Sequence, residues 1–347
     1  MPRHVHVVGS VPLPDARTVF STVSAALGPY LKSIPDGEIG DRLDWITWLE
    51  PIFAKHPAFE PSGETFQLHG ALQRKDRRYR LKAGASIKDV RFDNIFYADH
   101  AIKSYSEFAA LKRHGVIPAH VKFQVDLVPA HSIIWLYVQE DLQAAVDPLF
   151  NDAVLREIDK IAAAIPHDQL AIQFDIASAV FARLERNQAS GYGATKTEMQ
   201  ENFSAIVVRL ANRVPADVDL LFHFCYGDAG HKHVVEPTDM GDMVEFANRL
   251  AAQVTRPIQM IHLPVPRDRS DDAYFAPLTG LKLKPGTELC LGLVHHTDGA
   301  AGTRARLATA KRHVRDFSIA TECGFGRRDP ATLDELLRIH AEVAKDD

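Results

Sequence analysis

His223 and Cys225 stand two residues apart in LLFHFCYGD, and the chain supplies a further thiol at Cys323 in ATECGFGRR and a further imidazole at His262 in PIQMIHLPVP. Alternation along a strand puts His223 and Cys225 on one face, with Phe222 and Phe224 on the other. A soft thiolate and an imidazole aimed together from a strand end suit zinc. The H-x-C spacing alone is also served by a buried histidine beside a packed cysteine. Cys323 and His262 strengthen the metal reading, because both fall at the ends of expected strands and would complete a Cys2His2 set. Simple alternation groups Cys323 with the helix-facing Phe317 and Ile319, so a bend at Cys323-Gly324 is required.

Other residues could carry chemistry around such a centre. Asp175 in QFDIAS shares its face with Gln173, and an aspartate inside a sheet is costly unless paired or used. A substrate or proton-transfer role and a structural hydrogen bond both remain open for it. His296 shares a face with Gly292 and Val294, which points it inward, as a catalytic or a structural histidine. Asp36 and Glu38 end the second expected strand, where they could anchor a substrate amine, accept a proton or cap the next helix. Ser10 in the first loop is a weaker substrate-binding candidate. Arg327 and Arg328 could clamp an acid or phosphate, or form solvated ion pairs. His4, His6 and Cys290 read as structural.

These residues need a frame. Eight short apolar runs alternate with helical patterns, which is the signature of repeated βα units: 4–11, 31–38, 121–129, 169–177, 219–228, 257–265, 288–296 and 316–324. Eight strands with intervening helices close a (β/α)8 TIM barrel, an α/β fold, here as one domain over 1–347. Between them, 152–164 and 238–254 carry helical periodicity, with Thr238 as a candidate N-cap. The segment 329–344 opens on an Asp-Pro cap. The connection between strands 2 and 3, 39–119, is far longer than usual and rich in aromatics and charge. It reads as an insertion that builds a hairpin or small subdomain, a candidate lid over the site or an oligomer contact.

Composition narrows the partners. The 347 residues are 46% hydrophobic, and 40 basic against 45 acidic residues leave a net charge of −5, without the runs expected of a nucleic-acid or membrane surface. A small-molecule substrate follows, possibly a thiol, and a homodimer is compatible with it. Three scattered cysteines suit a reducing compartment, so a cytoplasmic location is expected. No signal peptide is legible in MPRHVHVVGSVPLP, and no apolar stretch approaches a membrane span.

The chain resembles the cobalamin-independent methionine synthase family, within the wider group that includes uroporphyrinogen decarboxylase. VGSVPLP, PDGEIGDRLDW, HFCYGD, GLVHHTDG and ATECGFGRR carry the resemblance, in the family's order and over almost the whole chain. It implies zinc ligands at His223, Cys225 and Cys323. The family's remaining ligand is a glutamate at the end of strand six, where this chain has His262; Glu236 or water are the alternatives. The family's proton-delivery histidine matches His296 and its strand-four aspartate matches Asp175, although Ile176 replaces the neighbouring glutamate.

Two activities follow. The first is a zinc-dependent transfer of a methyl or alkyl group to a thiol, since zinc lowers a thiol's pKa and a thiolate is the better nucleophile. The second is a zinc-dependent lyase or hydrolase that places water or a carbonyl in the open position; a neutral His262 in place of an anionic ligand would make the metal a stronger Lewis acid. A zinc-free relative like uroporphyrinogen decarboxylase would have no reason to carry both cysteines.

Overall fold

The computed structural model describes residues 3–66, 76–228 and 232–346. Its strands, in chain order, are β1 Ser33–Pro35, β2 Phe59–Phe66, β3 Asp76–Leu81, β4 Lys122–Leu127, β5 Leu170–Ile176, β6 Asp219–Phe224, β7 Met260–Pro264, β8 Glu288–Val294 and β9 Ser318–Thr321. All but β2 and β3 join one curled parallel sheet, a half-barrel in the order β1-β4-β5-β6-β7-β8-β9. Each of these seven strands arises within one of the expected apolar runs.

The runs form such strands because both faces of the sheet are covered. Every residue of β5, LAIQFDI, is buried. Leu170, Ile172, Phe174 and Ile176 belong to the large core beneath the helices. Ala171 faces the opposite way and joins Val8, Leu221, Met260, Cys290 and Ala320 in a separate apolar layer on the concave side. Gln173 and Asp175 lie above Ala171 on that same face, so period-two alternation delivers polar groups to the end of an otherwise apolar strand.

The first expected strand, 4–11, forms only in part. Val5 makes one parallel bridge to Leu31 beside β1 and another to Ile319 in β9, so the segment lies between the two edges of the sheet. The ladder there consists of His6 N–H to Ile319 O (2.9 Å), Ile319 N–H to His4 O (3.1 Å) and Val5 N–H to Tyr30 O (3.0 Å). Pairing ends as the chain turns at Ser10, where Val11 N–H bonds to Gly37 O instead (2.8 Å) and Pro12 has no N–H to offer.

Helices coat the convex side. Glu140–Ala164 includes the expected 152–164, and Leu333–Val343 follows a 3-10 turn capped by Asp329. Gly241–Gln253 starts three residues later than Thr238, whose N–H and hydroxyl are taken by Glu185. No helix among the described residues is long and apolar enough to cross a membrane.

The long connection divides in two. Its last part is the helix Tyr97–Arg113, which packs between Ala16–Leu27 and Glu140–Ala164 as a member of the outer layer. The irregular part before it contains 3-10 turns, a short helix Glu50–Ala54 and the antiparallel β2–β3 hairpin. Apart from the exposed Phe96, its aromatics are buried or half-buried. Phe53 is fully buried, its ring 5.9 Å from and almost parallel to that of Phe150, with Tyr137 at 5.9 Å and Phe92 at 5.6 Å. Removing that ring leaves a cavity where the insertion meets the main core. Phe53→Ala should therefore cost about 3–5 kcal/mol of unfolding free energy in a denaturant titration; a loss under about 1 kcal/mol would mean that the insertion is not part of the core.

Candidate metal centre

Parallel register sets Asp175, His223 and His262 side by side on β5, β6 and β7, all on the concave face. Cys225 follows immediately after β6, where its N–H still bonds to Ile176 O (2.9 Å). Cys323 lies beyond β9, which ends at Thr321. The strand alternation that would have turned Cys323 outward has ceased by then, and the thiol joins the others. His223, Cys225 and Cys323 are all buried, with one ligand atom from each lying within 4.8 Å of the others. The two sulfurs are 3.6 Å apart. Two thiolates on a tetrahedral zinc sit about 3.8 Å apart, given Zn–S near 2.3 Å, whereas a disulfide needs about 2.05 Å. The donor set and its spacing fit a metal ion.

The imidazole of His223 is oriented by its neighbour. His262 Nε2 lies 3.1 Å from the Thr321 carbonyl, which can only accept, so Nε2 carries the proton. Burial, followed by the charge of His223, holds the His262 pKa well below its ordinary value, so the ring is neutral and Nδ1 is a lone pair. That Nδ1 is 2.7 Å from His223 Nδ1, which must donate. The network thereby commits His223 Nδ1 to His262 and leaves Nε2 as the nitrogen that faces the two sulfurs, the one a metal ion would take in place of a proton. His262 is thus the hydrogen-bond partner of a ligand. It was expected as a metal ligand, and here its two nitrogens are engaged by Thr321 and His223, outside the group of donors that converge.

Charge around the centre is predominantly negative. The hydrogen bond from the Cys225 thiol, outweighing burial and helped by Arg327, holds the Cys323 thiol well below its usual range. Arg327 Nη2 donates to Cys323 Sγ at 3.1 Å, and the Gly227 N–H donates to Cys225 Sγ at 3.2 Å. Burial opposes a charged His223, yet the bond to Cys323 and the charge of Asp175 win and its pKa is raised. A site that favours a cation on the imidazole is also one that favours a bound cation.

Carboxylates complete the pocket. Burial, and then Asp175, push Glu38 up to about 8; burial raises Asp175 to about 6 against the opposing pull of His223. Asp126 is raised far above the carboxylate range by burial and by Asp175 and Glu38. A Cβ on Gly9 would sit 3.1 Å from Asp126 Oδ2 and 3.3 Å from Glu38 Oε2, so the glycine lets these acids converge. Glu38 reaches the pocket through a left-handed turn, with φ of 82° at Gly37 and 46° at Glu38 itself.

The expected site residues divide between this pocket and its surroundings. Ser10, Glu38, Asp175, His223, Cys225 and Cys323 line it. Ser10 also fastens the Cys323 loop, its hydroxyl accepting from Gly326 N–H (3.2 Å) and its carbonyl from Phe325 N–H (2.7 Å). Asp36 does not line it and is tied to Arg42 (2.7 Å), Ser104 (2.6 Å) and the Glu38 N–H (2.9 Å). His296 does not point inward: β8 ends at Val294, and His296 is exposed in a different pocket. Glu236 is an exposed partner of His233.

Asp126 and Trp45 were missed. The first had a legible signal, since Gln124-Val125-Asp126 on β4 repeats Gln173-Phe174-Asp175 on β5, and in each the Gln Nε2 donates to its Asp at 2.9 Å. Trp45 was legible only as one of the aromatics of the insertion; it packs against Ala177, Cys225 and Cys323.

No protein-family model and no curated protein matches the chain. Its structural neighbours are cobalamin-independent methionine synthase-like proteins. A B12-independent methionine synthase from Shewanella sp. W3-18-1, in complex with selenomethionine, aligns with a TM-score of 0.62 at 15% identity, over 99% of this chain and 97% of that one. A candidate vitamin-B12-independent methionine synthase from Listeria monocytogenes aligns with a TM-score of 0.56 at 16% identity, over 99% and 98%. At such identities the likeness establishes the fold, over the full length of the chain.

The hydrogen-bond chain through His262 generates a measurable expectation. His262→Leu should retain a single site for Zn2+ but weaken it about 10–100-fold in chelator competition, while Cys225→Ser should abolish tight binding. Unchanged affinity in His262→Leu would show that the imidazole needs no orienting partner.

Proposed function

We propose that this chain, which folds like the B12-independent methionine synthases, is a zinc-dependent enzyme that transfers a methyl or alkyl group to a thiol. The reading includes a closed (β/α)8 barrel whose first strand is the segment around Val5. Its bridges to both sheet edges and the apolar layer from Val8 to Ala320 support that closure. The observation that carries the functional reading is the convergence of His223 Nε2, Cys225 Sγ and Cys323 Sγ on one pocket, with His262 fixing the tautomer.

His223, Cys225 and Cys323 would hold the zinc, and a substrate position remains toward the pocket. Bound there, zinc would keep a substrate thiol deprotonated at neutral pH, which supplies the nucleophile. The remaining work belongs to the chain. Trp45 covers the two cysteines and limits water at the centre. Asp175 and Glu38 face the same pocket, where an ionised Asp175 attracts a substrate ammonium and a protonated Glu38 donates a hydrogen bond or a proton. Arg327 lies against Cys323, where it neutralises part of the thiolate charge.

The alternative, Lewis-acid activation of water or a carbonyl, drew its support from a neutral fourth ligand at His262. With His262 outside the ligand set, two thiolates offset the charge of a zinc dication, which suits a soft sulfur better than activation of water. That observation favours thiol transfer over lysis or hydrolysis.

Zinc-loaded protein offered thiols with a panel of methyl donors should yield thioethers, and Asp175→Asn should slow turnover about 10²–10⁴-fold. Because Glu38 keeps its proton up to about 8, kcat/KM should fall above that pH, and Glu38→Gln should remove the alkaline limb. Thiol-independent turnover of a carbonyl substrate, with no thioether formed, would overturn the assignment.

A further inference from the structure

We infer that a second pocket, at the C-terminal ends of β8 and β9, is an oxyanion site of the phosphoryl class. It encloses about 220 Å³ and is lined by Arg267, His295, His296, Thr297, Thr332 and Arg328, with the carboxylates of Glu322 and Asp329 also on its wall. The two consecutive arginines of GFGRR part company here: Arg327 turns to Cys323, and Arg328 lines this other pocket.

Arg328 carries the argument. Its side chain is 9% exposed, its Nε is buried without a hydrogen-bond partner, and among the described residues no carboxylate lies within ion-pair distance of it. The two acids on the pocket wall are engaged with other partners. Glu322 bonds to His233, and Asp329 accepts from the Ala331 N–H (3.0 Å) as a helix cap. Buried charges in folded proteins are paired or used, and a guanidinium presents a planar fork of donors that matches phosphoryl and carboxylate oxygens. A second guanidinium, Arg267, lines the same cavity, and the Thr297 hydroxyl adds a neutral donor. Cations outweigh the acids at the ring: after burial, Arg306, Arg328 and Arg267 are what hold the His295 imidazole well below its ordinary pKa, although Glu322 Oε2 lies 4.0 Å from its Nδ1. The location also fits, since ligands of parallel α/β sheets bind outside the carboxyl ends of the strands. A tetrahedral group with several acceptors can meet the Arg328 fork and a hydroxyl at once, which a single planar carboxylate does less completely. This site is independent of the metal reading, because none of its residues is a proposed ligand.

The test is calorimetric titration of the full-length protein at fixed ionic strength with three probes: inorganic phosphate, glycerol 3-phosphate and succinate. Saturable binding of a phosphoryl probe is expected, weakened roughly tenfold or more in Arg328→Gln. Tighter glycerol 3-phosphate than phosphate would identify a phosphoryl group carried on a larger ligand, and the reverse order would identify the free ion. Binding of succinate alone, or phosphate affinity equal in wild type and variant, would overturn the proposal. Should Arg328→Gln fail to fold, crystals of the wild type soaked in tungstate give the same decision. Density for the anion against Arg328 is expected, and density only elsewhere would sink the site.

Discussion

The Thr321 carbonyl decides what His223 can do. As an acceptor only, it fixes the proton on His262 Nε2, which leaves His262 Nδ1 as an acceptor and obliges His223 to donate from Nδ1. The consequence appears at the far nitrogen of His223, which is left to face the two sulfurs and is the one a metal ion would take. A change of tautomer at any point in this buried row would turn the wrong nitrogen of His223 to its partner and break the bond that orients the ring. The row is cheap to hold because both rings are fully buried in a sheet whose register already sets them side by side.

The same register explains the electrostatic character of the pocket. Asp175 stands opposite His223 on the neighbouring strand, and Asp126 stands opposite Gln173 one strand further along. Short links within the sheet, Gln124 to Asp126 and Gln173 to Asp175, satisfy one oxygen of each acid. Those bonds do not neutralise charge, so burial and mutual repulsion keep protons on part of the group at neutral pH. Arg42, the nearest cation on the second loop, is committed to Asp36, and Arg327 to Cys323 and Asp228. A cluster of acids beside two thiols, with its arginines already engaged, is arranged to receive positive charge from outside the chain.

Much of this was legible in the amino-acid sequence because it depends on period and type. Alternation in QLAIQFDIA and DLLFHFCYG correctly put Asp175 and His223 on the concave face, and seven of the eight apolar runs contain sheet strands. What depended on where a strand stops was not legible. His296 was carried inward by extending alternation past Val294, and Cys323 was left in difficulty by extending it past Thr321; in both cases the ladder had already ended. His262 reads as a ligand because residue type and strand position suit one, and only the structure reveals that its two nitrogens bond to His223 and Thr321. Asp36 and Glu38 look equivalent as a pair, and a left-handed turn at Gly37 and Glu38 sends one to Arg42 and the other to the pocket.

The most direct test of the central claim is X-ray absorption at the zinc edge, on protein loaded with one equivalent of Zn2+, before and after addition of a thiol. The account predicts two sulfurs at about 2.3 Å with nitrogen or oxygen at about 2.0–2.1 Å, and a third sulfur when the thiol is added. An all-nitrogen-and-oxygen shell, or a sulfur count that the thiol leaves unchanged, would contradict it.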